Sequence, residues 1–232
     1  MSRFGVGLSS PLRDAGFVGN PFRALSEAEW EEMSVTPVAV SAFLGRGDTT
    51  SVQILGPAGH GKSSTLRAVM REARQLQGCP QYEYIPNGTS VFVTGLLGDC
   101  WFCVDEAQRL SNRERERLIH LRLQHGTRLF LASHEDLTTL FRTNNLPLHT
   151  VTLNTIGESH FDAILENRLT YFAFPGEPHA TFSRDALVFL RERFGSDLRQ
   201  AERFLFDFFQ TSVRVPEPIV ARQLRRESRS SP

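Results

Sequence analysis

The chain is nearly devoid of lysine. Its 232 residues include 26 lysines and arginines, and Lys62 is the one lysine among them. Arginine and lysine are not interchangeable: one is a planar fork, the other a compact point charge on a flexible stem. A chain that uses arginine everywhere else and lysine once marks position 62 as chemically distinct. Cysteine is also scarce, with only Cys79, Cys100 and Cys103. Cys100-Trp101-Phe102-Cys103 has C-x-x-C spacing, but no second pair or ligand-spaced histidines accompany it, which excludes a zinc module. It lies in an apolar run and reads as two buried thiols. The formal charge is +0, so no global field draws the chain toward nucleic acid or membrane, although a local basic patch stays open. No apolar run approaches the ~18 residues of a membrane span, and the N-terminus lacks an apolar signal-like core. A cytoplasmic location without a membrane span is the expectation. Internal repeats are absent. The length and the 40% hydrophobic content fit one domain with a small appendage.

What is present centres on Lys62. Gly56-Pro57-Ala58-Gly59-His60-Gly61-Lys62-Ser63 matches G-x-x-x-x-G-K-[ST], the phosphate-binding loop. Ser51 to Leu55 before it reads as a buried strand. Leu66, Val69, Met70, Ala73 and Leu76 after it recur at helical spacing, with Gly78 as a stop. A chance glycine turn would not require that order. The glycines let backbone N–H groups wrap a phosphate, and the helix N-terminus, including Ser64, adds its positive dipole end. Lys62 can reach the β- and γ-phosphates, and the Ser63 hydroxyl can ligate Mg²⁺.

Cys100 to Val104 is a continuous apolar run that ends in Asp105-Glu106. A buried strand delivering two carboxylates downstream of a phosphate loop reads as the Walker B pattern. Asp105 would serve the Mg²⁺, and Glu106 would orient or deprotonate an attacking water. Arg128 to Ala132 is a further core strand with polar Ser133-His134 at its end, near where a γ-phosphate would lie. Tyr82 to Ile85 and His149 to Leu153 read as strands, and Ser90 to Val93 as a short β-prone piece. Ser26 with Glu29, and Ser111 with Glu114, fit capping boxes that open helices; another helix is expected over Val38 to Leu44. The predicted class is therefore α/β, a parallel sheet flanked by helices.

The last third changes character. Phe161, Ile164, Leu165, Arg168 and Phe172 share one helix face, Ser183 caps a second helix, and Leu198 to Phe208 carry a third after Gly195. This predicts a small all-helical lid. Arg199 sits in the first turn of the last helix, where a cation opposes the dipole, which marks it as functional. The expected boundaries are a mostly irregular arm over 1–25, the nucleotide-binding α/β domain over 26–155, the lid over 156–212 and an Arg/Pro/Ser-rich tail over 213–232. That tail reads as solvated, with contact to a phosphate backbone as the alternative.

Together these residues resemble the AAA+ ATPases over roughly 20–212. Gly195-Ser196-Asp197-Leu198-Arg199 looks like the sensor 2 motif, whose arginine reaches the γ-phosphate. Ile164-Leu165-Glu166-Asn167-Arg168 looks like the element that opens the lid in origin-recognition initiators. Asp105-Glu106-Ala107-Gln108-Arg109-Leu110 resembles the Walker B of the ExeA- and TniB/TnsC-like ATPases. The resemblance implies ATP and Mg²⁺ as cofactors and His134, with Ser133 before it, at the sensor 1 position. It also implies a homo-oligomer in which Arg142 acts as an arginine finger, and a protein partner, with DNA possible. Histidine at sensor 1 departs from the family pattern. The short stretch before the Walker B strand disfavours a threading unfoldase, and the want of a DNA-binding module after the lid disfavours a complete initiator. The expected function is ATP hydrolysis that drives assembly or remodelling of a partner. A low-turnover ATP switch and a P-loop small-molecule kinase are the alternatives. Adenine over guanine follows from the resemblance; the guanine-specifying N-K-x-D is missing.

Overall fold

A computed structural model of the chain describes residues 10–44, 50–76, 78–95, 100–154, 156–212, 215 and 217–230. In chain order the first elements are α1 (Ser10–Asp14), α2 (Glu27–Met33), α3 (Val38–Leu44), β1 (Ser51–Leu55), α4 (Lys62–Gln75) and β2 (Pro80–Tyr84). There follow β3 (Trp101–Asp105), a 3₁₀ turn (Ala107–Arg109), α5 (Asn112–His125), β4 (Arg128–Ser133), α6 (Thr138–Thr143) and β5 (Leu148–Thr152). The chain closes with α7 (Glu158–Phe172), α8 (Arg184–Phe194), α9 (Leu198–Thr211) and α10 (Ala221–Ser230). These elements form two compact units, Glu27–Asn154 and the described residues up to Ser26 together with those after Thr155. None of the described helices is long and apolar enough to cross a membrane.

The first unit is a parallel sheet of order β2-β3-β4-β1-β5. Both faces are covered, which is why its central strands read as continuous apolar runs. Val52, Ile54, Cys103, Phe130 and Ala132 pack with α3 and with Leu66, Val69 and Met70 of α4. Phe102, Val104, Leu129 and Leu131 face the opposite way, with Leu118, Ile119 and Phe141. Gln53 points to that second face although it is fully buried. Its amide is satisfied: the two Nε2 hydrogens have three acceptors within 2.9 Å, on Asp136, Thr138 and Thr150, and Oε1 accepts from the Leu137 N–H at 2.9 Å. A buried polar side chain is tolerated when its hydrogen bonds are complete.

Two local expectations change, and the reading of Cys100 and Cys103 as buried thiols holds. Ser90 to Val93 forms no strand. Instead Phe92 is buried against Phe102, and the Glu83 carboxylate accepts the Val93 and Thr94 N–H groups at 2.6 and 2.7 Å. Two charge-assisted bonds and one aromatic ring thus pin the described part of the β2–β3 crossover. Leu76 is 57% exposed, because α4 ends one residue earlier and Gly78 turns the chain with its N–H on the Ala73 carbonyl. Cys100 and Cys103 are buried free thiols, and burial pushes the Cys103 thiol up from its ordinary pKa.

The second unit is helical and takes in described segments from both sides of the first. The expected irregular arm holds the short helix α1, and Leu12, Phe17 and Phe22 are buried. Phe17 bridges to Ala173, and the Ala180 N–H donates to the Ala15 carbonyl at 3.0 Å. Gly16 has φ +86, and a Cβ there would lie 2.3 Å from the Pro178 oxygen, so the close approach requires glycine. The expected solvated tail is largely the helix α10, with Leu224 buried and Ile219 bridged to Phe182. Apolar residues spaced Ile219, Ala221, Leu224 among arginines explain the difference: they give the segment one face to bury. Residues 1–9 of the arm and 213, 214, 216, 231 and 232 of the tail lie outside the described set.

Candidate nucleotide site

The phosphate loop runs from the C-terminal end of β1 into α4. Gly59 and Gly61 both take φ 82, the left-handed conformation that favours glycine. A Cβ on Gly61 would meet nothing within 4 Å, whereas one on Gly56 would lie 2.8 Å from the Leu153 carbonyl oxygen. Gly56 therefore permits close passage beside β5, and Gly61 opens the mouth of the loop. Gly61 also caps α4 without any side-chain bond, so the first-turn N–H groups through Ser64 keep their anion-binding character. Pro57 and Ala58 are exposed. The His60 ring lies 3.0 Å from the Ala58 carbonyl. Ser64 accepts from Trp30 Nε1 at 3.0 Å, tying α4 to α2. Ser63 lies between Lys62 and Ser64 and is partly buried.

Lys62 is buried, and its Nζ donates to the Gly56 and Pro57 carbonyls at 2.8 and 2.9 Å. Burial lowers its pKa, against the pull of Glu106 and Asp105, which raise it. His134 Nε2 stands 3.3 Å from Lys62 Nζ and 3.5 Å from Glu106 Oε1. The imidazole thus sits between an ammonium and a carboxylate, both from motifs read in the sequence. Ser133 behaves differently. It is fully buried, and its hydroxyl is spent on its own turn, donating to the Glu135 carbonyl and accepting the Glu135 N–H. Of the two residues at the end of β4, the structure brings His134 to the cluster and turns Ser133 away.

Asp105 and Glu106 stand at the end of β3. Glu106 has φ 61 and ψ 40, a conformation that costs a non-glycine residue roughly 1–2 kcal/mol. The turn that follows holds it there. Gln108 Nε2 donates to Glu106 Oε2 at 2.7 Å, and an Arg109 guanidinium nitrogen lies 3.0 Å from the same oxygen. Gln108 Oε1 also accepts the His134 N–H at 3.2 Å, so one side chain spaces both. Asp105 is held from two sides, its Oδ1 by the Glu106 N–H and its Oδ2 by the Tyr82 hydroxyl, each at 3.0 Å. Burial first, then the Asp105 charge, push the Tyr82 pKa up, so the phenol stays a donor. Arg67 lies 3.7 Å over its ring and pairs with Glu27 of α2.

Tyr82, Gln108 and Arg109 escaped the sequence reading as site residues. Gln108 and Arg109 follow Glu106 in sequence and could have been found as its neighbours. Tyr82 belongs to another strand, opposite Cys103, and only strand pairing brings it to Asp105. Arg142 is exposed in the last turn of α6, outside this cluster. Arg199 is exposed in the first turn of α9, in the second unit.

The donor set fits a magnesium nucleotide. It offers a glycine loop with an open mouth, a desolvated lysine, a helix start capped only by glycine, and a hydroxyl and carboxylate suited to a hard cation.

No family model matches the chain, and no curated protein does. Solved structures do. RuvB of Thermotoga maritima, a Holliday junction branch migration motor, superposes with a TM-score of 0.58 at 16% identity, covering 90% of this chain and 73% of that one. The replication initiator DnaA, bound to AMPPCP and single-stranded DNA, matches at 0.53 and 15%, covering 87% and 68%. NtrX of Brucella abortus, in complex with ADP, matches at 0.53 and 12%, covering 84% and 56%. At such identities the likeness concerns the fold. The chain has the fold of the AAA+ P-loop ATPases.

Proposed function

We propose that this chain binds and hydrolyses Mg-ATP and uses the cycle to assemble or remodel a protein or protein–DNA partner. One observation supports the reading: His134, just past β4, stands 3.3 Å from Lys62 at the start of α4 and 3.5 Å from Glu106 at the end of β3. That is an ammonium for phosphate charge, a carboxylate for the attacking water and a polar group touching both. In this reading residues 56–64 cradle the phosphates, and Ser63 and Asp105 hold the Mg²⁺. The bound ion supplies charge neutralisation of the phosphoryl oxygens. Glu106 orients the water, and His134 couples it to Lys62. Arg199 from the helical unit and Arg142 from a neighbouring copy complete the positive charge, so the working form is a homo-oligomer. We place it in the cytoplasm.

The low-turnover switch is the second reading. It is favoured by the engagement of Glu106 Oε2 with both Gln108 and Arg109, which withholds one carboxylate oxygen.

Steady-state phosphate release across protein concentrations separates the two. Hydrolysis per subunit that rises with concentration, and falls at least 100-fold in Glu106→Gln with ATP binding retained, is the result expected. Wild-type turnover no faster than that of Glu106→Gln would leave only the switch. A fully active Arg142→Ala protein, with turnover independent of concentration, would remove the neighbouring-copy claim.

A further inference from the structure

Between α8 and α10 runs an open groove of about 750 Å³, lined by Arg184, Val188, Phe189, Glu192, Arg222 and Arg225, among others. Arg193 and Ser228 extend it along the same two helices. A chain of zero net charge thus gathers four guanidinium groups here. None forms an ion pair with a carboxylate among the described residues. The two acids beside them are unequal. Asp185 accepts the Ser183 hydroxyl and the Ala221 N–H, which hold its carboxyl below the usual range and turn it into the joint between α8 and α10. Glu192 is exposed and forms no ion pair with these four arginines among the described residues. The arginines are also braced: Arg225 lies 5.5 Å over Phe189, and Arg193 lies 5.4 and 5.5 Å over Phe194 and Phe204. A guanidinium held against a ring gives up less freedom on binding and presents its fork flat.

We propose that this groove binds the phosphate backbone of a nucleic acid. Arginine forks match phosphate oxygens two at a time. From Arg184 to Arg193 the helix α8 rises about 13 Å, while phosphates repeat every ~3.4 Å along each strand of a duplex. The groove therefore spans several phosphates, as a linear polyanion requires, and its basic groups follow both walls. The site lies wholly within the helical unit and does not depend on ATP hydrolysis, so its failure and that of the ATPase reading are separable.

The test uses the full chain and fluorescence anisotropy of labelled 20-nucleotide single strands and 20-base-pair duplexes, with and without a non-hydrolysable ATP analogue, from 50 to 200 mM salt. Binding of either form should weaken with salt, with a log–log slope of about −2 to −4. The double variant Arg184→Glu/Arg222→Glu changes two exposed side chains that make no ring contacts among the described residues. It should bind at least tenfold more weakly and flatten the slope by about 2, with melting temperature and ATP-analogue affinity unchanged. Arg184→Lys/Arg222→Lys should keep the slope. The single- and double-stranded arms decide which form the groove prefers. The proposal is overturned if the charge-reversed variant binds as wild type does. It is equally overturned if wild type binds neither nucleic acid, whether or not it binds phosphatidylserine vesicles or a polyglutamate peptide.

Discussion

The two units of this protein are built by opposite economies of sequence. In residues 27–154 the chemistry is local: the phosphate loop is one uninterrupted stretch, Asp105 and Glu106 are adjacent, and a parallel sheet gathers its strand ends at one edge. In the helical unit the buried polar side chains are structural and long-range. Arg168 is buried; it donates to the Pro21 and Arg23 carbonyls at 3.3 and 3.0 Å and pairs with Glu202 at 2.8 Å. Asn20 donates to the Phe206 carbonyl at 3.0 Å. One arginine of α7 therefore ties the N-terminal segment to α9. The same residue type, arginine in a recognisable motif, reads as chemistry in one context and serves as a rivet in another.

The strongest way to test that contrast is Lys62→Ala. The substitution removes an ammonium that is not part of the sheet core, so the fold should stand while ATP affinity falls at least 100-fold, about 3 kcal/mol. Titration of a fluorescent ATP analogue, alongside thermal melting, reads both. Unchanged affinity would end the assignment of the loop to a nucleotide.

Arg168→Ala should do the reverse. It removes the guanidinium that serves the Pro21 and Arg23 carbonyls and Glu202, at a cost of about 2–3 kcal/mol to the helical unit. Hydrogen exchange should quicken in 10–26 and 198–211 and stay slow in α4 and β1. Uniform loss of protection over both units would mean that they unfold as one, and the contrast would lose its energetic content.

How much of each unit could be read from sequence follows the same division. The parallel α/β layout, the loop and the paired carboxylates were legible, apart from the extra β-prone piece expected at Ser90 to Val93, because a strand, a glycine run and an apolar run each declare themselves within about ten residues. The arm and tail were not. Whether Phe17 and Leu224 are buried depends on partners such as Phe209 and α8 that lie far along the chain, and no local period reveals those pairings. The end of β4 was half legible. Ser133-His134 could be placed at the strand end, but which one reaches Lys62 and Glu106 depends on the Glu135 turn that consumes the serine hydroxyl.

Tyr82 offers the finest test, because it is the residue of the local unit that only tertiary structure reveals. Its hydroxyl and the Glu106 N–H each hold one oxygen of Asp105 at 3.0 Å. A carboxylate has about four lone-pair sites, so both donors can be accommodated with sites left for a Mg²⁺ shell; what they contribute is orientation. Tyr82→Phe removes the hydroxyl and keeps the ring against Arg67, so packing is conserved and the loss should be about 1 kcal/mol. The Mg²⁺ concentration that half-saturates binding of the ATP analogue should rise threefold to tenfold, with the melting temperature within a few degrees of wild type. Metal-free nucleotide affinity should not move, because Lys62 and the loop amides are untouched. A variant with the wild-type Mg²⁺ requirement would show that Asp105 is oriented by its backbone contact alone. A lower requirement would show that the phenol competes with the ion instead of aiming the carboxylate.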